Sequence, residues 1–155
     1  MFILYIFVVL IIISSIQTNK YFYYKEYSAI VNFLPNLKLH DVVIIYSNKK
    51  NGIFTIDFTP NQDNTNMLIN FLLGQNVPAH IRIRKLNSWD LEKWYKIKPI
   101  SINQIYDYKL RKNFLNIQKN WKNKEMNLYE YNCKHFSNFV INYLSSLDSF
   151  LYKDN

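Results

Sequence analysis

An α+β domain is the fold class this sequence predicts, and three patterns predict it: two apolar strand-like runs joined by Asn51-Gly52, an alternating segment from Ala79 to Leu86, and apolar residues at helical spacing between and after them. At 155 residues the chain suits one domain with one core. Its 49% hydrophobic content is well above that of chains that stay disordered.

The elements follow in chain order. Phe2 to Ile13 is an unbroken apolar run, with Lys20 the first charge. Residues 1–19 therefore read as a hydrophobic membrane anchor or a signal segment, with a buried core helix as the third reading. For an anchor, Tyr21 to Tyr24 with Lys20 and Lys25 would form an interfacial belt, and the basic domain would lie on the positive-inside face. Residues 26–155 read as the domain. Asp41 to Tyr46 is a buried strand, Ser47 to Gly52 a turn, and Ile53 to Phe58 the return strand, closed by Pro60. Asn64 or Thr65 caps a helix through Leu73, and Gly74 sits where a left-handed cap is wanted. Ala79 to Leu86 alternates, with His80, Arg82 and Arg84 on its polar, outward face. Ile102, Ile105, Leu110, Phe114, Ile117 and Trp121 have helical spacing. Met126 to Tyr131 is extended, and Phe136, Phe139, Val140 and Tyr143 mark a last helix.

Composition removes several function classes. With only two glycines there is no GxGxxG and no phosphate-cradling GxxxxGK[ST] loop. The net charge of +8 is dispersed and comes without paired Cys/His ligands, so a specific nucleic-acid partner is not expected. A single cysteine allows no intrachain disulfide and no Cys-rich zinc site, and no cofactor or metal is called for. The excess of Asn, Lys, Ile and Tyr over Ala suits an AT-rich genome, such as that of a plastid, a bacterium or a protist.

Three residues carry the chemistry. Asn132 is a good N-cap, which places Cys133 in the first turn of the last helix. A helix N-terminus stabilises a thiolate through its partial positive charge and its N–H groups, and the backbone N–H of Cys133 suits an oxyanion. His40 leads the first strand of the hairpin and Asp57 lies in the second, at comparable distance from the turn. A carboxylate there fixes the imidazole tautomer, and the imidazole exchanges the thiol proton. Asp57 pointing outward with Thr55 is the competing reading, since the two share a face. His135, two residues after Cys133, is expected to pack or cap near the helix start. Tyr131 and Tyr46 are placed to line the site, and His80 to lie on the surface.

Asn132-Cys133 followed by Phe136-Ser137-Asn138, with Met126-Asn127-Leu128-Tyr129 before it, resembles the nucleophile motif of circularly permuted papain-like thiol proteins. Two branches are close: the lecithin:retinol acyltransferase-like group of the NlpC/P60 superfamily, with its Asn-Cys-x-His-Phe, and the PPPDE group of thiol peptidases, with Asn-Cys-x-x-Phe-Ser-Asn. In both the His leads an early strand and the Cys comes later on a helix, as here. The resemblance covers roughly residues 38–60 and 126–144. It implies a permuted papain-like (NlpC/P60-type) antiparallel sheet packed against helices, with catalytic Cys133, His40 and Asp57 and supporting Asn132, His135 and Tyr131. It further implies an acyl-thioester on Cys133, with a membrane lipid or other acyl-bearing ester or amide as substrate, or a protein substrate for a PPPDE-like peptidase. A catalytically silent membrane-bound binding module is the third outcome.

Overall fold

The computed structural model describes residues 20–28, 40–47, 52–61, 64–87 and 97–153. Five strands and three α-helices lie in these segments: β1 (Tyr21–Ser28), β2 (His40–Ser47), β3 (Ile53–Pro60), α1 (Thr65–Leu72), β4 (Ala79–Leu86), α2 (Tyr108–Trp121), α3 (Cys133–Ser145) and β5 (Phe150–Tyr152), with a short 3₁₀ turn at Ile102–Gln104 before α2. The expected apolar segment at residues 1–19 lies outside the described residues. Among the described residues no helix is long and apolar enough to cross a membrane.

The fold class is α+β. One mixed sheet has the order β4-β3-β2-β1-β5. Its first four strands pair antiparallel, and β5 joins β1 in parallel. The β2–β3 pair is the expected hairpin, and Gly52 after the turn has φ +98, a conformation that glycine reaches without a Cβ clash. Asn64 caps α1 by accepting the Met67 N–H, and Gly74 beyond its end has φ +74.

Val42 to Ile45 are fully buried, because apolar clusters cover both faces of β2. On one face Tyr21, Tyr23, Val43, Ile45, Phe54, Ile56 and Phe58 meet α2 through Phe114 and Ile117 and α3 through Phe136 and Val140. On the other, Tyr24, Val42, Ile44, Ile53 and Leu86 cluster with Tyr46 and Ile97. The spacing from Ile102 to Trp121 resolves into the 3₁₀ turn and α2, whose N-cap Asp107 accepts the Leu110 N–H and also the Tyr21 hydroxyl.

Two expectations are corrected. The aromatic cluster after Lys20 is a strand, with Tyr21 and Tyr23 each 1% exposed in the core and Phe22 stacked on Tyr46. The Tyr-Phe-Tyr-Tyr run has the propensity and the alternation of a strand, and β2 and β5 flank it on both edges. Met126 to Tyr131 is not a strand: Met126 makes one antiparallel bridge to Val77, and the chain then turns, with the Asn127 N–H donating to Tyr131 O.

Candidate active site

The site begins with a helix cap. The Asn132 side chain accepts the His135 N–H while its own NH₂ donates to Leu128 O at 2.7 Å, so one residue ties the incoming loop to the first turn of α3. Cys133 follows, half-buried and packed against the main core.

His40 opens β2 at the same end of the sheet. The β2–β3 ladder stops at Val43–Ile56, so Asp57 lies one residue and His40 three residues past its last pair. His40 Nε2 and Asp57 Oδ2 are 2.8 Å apart, with His40 7% exposed and Asp57 0%. The imidazole also hydrogen-bonds the Cys133 side chain. The three residues singled out in the sequence therefore converge, with the ring between carboxylate and thiol.

Electrostatics fix the charge state of the ring. Burial alone would lower the His40 pKa, but the hydrogen bonds and charges of Asp57 and Cys133 outweigh it and push the value up to about 9. Burial alone would raise Asp57. The hydrogen bond and charge of His40, with those of Arg82, instead hold it well below the usual carboxylate range. At neutral pH the ring is an imidazolium that donates to its partners.

Arg82 and Arg84 complete the cluster, and neither was expected there. Arg82 Nε donates to Asp57 Oδ2 at 3.2 Å, and Arg84 Nη1 to Asp57 Oδ1 at 3.0 Å. Arg84 Nε donates to Ile97 O. Asp57 and Thr55 do share a face, but both are 0% exposed, and Arg84 is 3% exposed. The outward polar face of β4 is thus corrected: its arginines turn inward to a buried carboxylate, which would be costly if it stood alone. The available signal was two arginines of one parity beside the strand that carries Asp57, which pairs directly with Arg82.

A second ionic group docks α3. Asp41, 5% exposed, accepts Lys25 Nζ at 2.9 Å and Ser137 Oγ at 3.0 Å, and Lys25 also reaches Asn138 Oδ1. Asp41 follows His40, and Ser137 lies one turn after Cys133, so this contact ties the start of β2 to the first turns of α3.

The remaining candidates divide. His135 is exposed, with Nδ1 at 2.9 Å from Asn132 Oδ1, which is the capping position expected. Tyr131 packs its ring 5.9 Å from that of Trp121, and its hydroxyl accepts Lys124 Nζ. Tyr46 is at the far end of β2, roughly 20 Å along the strand from His40, and does not line the site. His80 is exposed and bonded to Asn61. Among the described residues no group of three or more His, Cys, Asp or Glu side chains could hold a metal ion. No protein-family model, no curated protein and no solved structure matches this chain.

Proposed function

We propose that the protein is a membrane-associated thiol hydrolase or acyltransferase of the circularly permuted papain-like kind, acting on an ester or amide through an acyl-Cys133 intermediate. The observation that carries this reading is the buried His40 imidazole, held by Asp57 on one side and bonded to Cys133 on the other. The early His on a strand and the late Cys on a helix have the permuted order, and the apolar run at residues 1–19 supports membrane association.

The Cys133 thiolate attacks the carbonyl carbon, and the positive end of α3 favours the oxyanion that forms. The His40 imidazolium gives its proton to the departing alcohol or amine, leaving a thioester on Cys133. Neutral His40 then takes a proton from water or a second acceptor. That oxygen or nitrogen attacks the thioester, and Cys133 leaves as the thiolate. Asp57 holds the ring in orientation throughout. A PPPDE-like peptidase is the second reading, favoured by the edge strand β4, whose outer main-chain groups at Ala79 and Ile81 have no partner among the described residues.

Cys133 is the only thiol, so alkylation reports on one atom. Iodoacetamide is expected to label the wild type rapidly at pH 7, and His40→Ala to slow labelling by about tenfold or more. Labelling of the wild type at the rate of a free cysteine would exclude the thiol enzyme and leave the silent binding module.

A further inference from the structure

β4 is an edge strand, and its outer edge is closed at both ends but open between them. At one end Val77 exchanges both main-chain hydrogen bonds with Met126, at 2.9 and 2.8 Å. At the other, Ile83 O accepts the Ile100 N–H at 2.8 Å. Main-chain groups on an edge strand alternate between partner and outside. Ala79 and Ile81, of the same parity as Val77 and Ile83, therefore turn their N–H and C=O groups outward. The pairing with β3 agrees: Ala79 stands opposite Pro60, which has no N–H to give, while Pro78 O accepts from the Asn61 N–H on the inner side. No hydrogen bond engages the outward groups of Ala79 and Ile81 among the described residues.

These groups open onto a groove of about 490 Å³ between β4 and α2. Its floor is apolar, with Phe58, Ile81 and Trp121. Its rim carries Lys119, Lys122 and Lys124, and no carboxylate lines it. Phe58 and Trp121 touch Phe136, one helical turn from Cys133, with ring centroids at 5.8 and 5.3 Å. Buried Phe136 thus links the groove floor to the first turn of α3.

We propose that this groove binds an extended acidic segment of a protein substrate, which adds a short strand to β4 at Ala79–Ile81. A lipid chain would fill the apolar floor but leave the main-chain donors and acceptors unmatched. An extended peptide matches both and places alternate side chains on the floor and at the lysine rim. Charge complementarity selects an acidic segment. As a docking site for substrate the groove rests on the thiol reading above; as a binding site it does not.

The full chain carrying Cys133→Ser, which cannot turn over, is titrated by fluorescence anisotropy with a blocked, fluorescein-tagged peptide of alternating valine and glutamate. Two further peptides are N-methylated, one at every valine and the other at every glutamate. Methylation on the pairing edge is expected to weaken binding by about tenfold or more while methylation on the other edge leaves it intact. Lys119→Glu with Lys122→Glu is expected to weaken the parent peptide by about tenfold, and a valine–lysine peptide is expected not to bind. Equal binding of both methylated peptides overturns the proposal. So does lysine-dependent binding of phosphatidylglycerol vesicles or oligo-dT without peptide binding. Iodoacetamide labelling of wild-type Cys133 separates the two readings: a reactive thiol without peptide binding sinks only the groove, and peptide binding with an inert thiol sinks only the enzyme.

Discussion

His40 has two acceptors, and both favour its cationic form. The ring is expected to titrate near pH 9 by NMR in the wild type. In Cys133→Ser it should titrate lower, because one of the two supports is gone; an unchanged value would mean that the thiol does not act on the ring. The sign carries through to stability. Folding raises the His40 pKa from 6.5, so its contribution is complete below about 6.5 and is lost as pH rises through about 9. Asp57 is depressed instead, so its contribution is present above its ordinary value of 3.8 and is lost as pH falls through its lower folded value. If His40 is the acid that releases the leaving group, turnover falls over the same alkaline range. Thr55 offers a different test. It is 0% exposed on the face that carries Asp57, and its hydroxyl has no hydrogen-bond partner among the described residues. Thr55→Val keeps the shape and removes the unsatisfied group, so it is expected to raise stability by about 1 kcal/mol in urea titration. The convergence of Cys133, His40 and Asp57 was legible because they and Asn132 each stood at a position with a local meaning: a cap, a first turn and two strand positions at similar distances from one turn. Arg82 and Arg84 were not legible in the same way. Alternation tells which residues share a face but is silent on which face meets water.

At the scale of elements, the start of α3 is tied to the loop before it by one capping residue, and that tie has a measurable weight. Asn132→Ala removes the acceptor for the His135 N–H and the bond to Leu128 O. It is expected to cost about 1 kcal/mol of stability and to slow Cys133 labelling, because the first turn frays where the thiol sits. Full stability with unchanged labelling would show that the cap is dispensable. The hairpin, α1, α2 and α3 were readable from Asn51-Gly52, Asn64, Gly74 and the helical spacing, since caps, turns and apolar periods are local signals. β1 and β5 were not. The tyrosines of β1 follow an apolar run and suggest a membrane interface; only pairing with distant chain makes them core. β5, at Phe150–Tyr152, is too short for a period to show.

For the whole molecule, protection against hydrogen exchange should map the sheet order. β2 and β3, flanked on both sides, are expected to exchange slowest. On β4 the pattern should alternate: the amides of His80 and Arg82 protected by β3, and that of Ile81 fast although it lies within a strand. Slow exchange at Ile81 in the free protein would mean that the edge is already covered. The parallel pairing of β1 with β5 has a further consequence for the order of assembly. The first and last strands of the described chain lie side by side, and the Tyr21 ring stacks on Phe150 at 4.7 Å. On the ribosome, β1 and the hairpin emerge long before α3 and β5 exist to cover them. Cys133 comes into reach of His40 only after the chain through α3 has been made, so a product truncated before α3 carries His40 and Asp57 without Cys133.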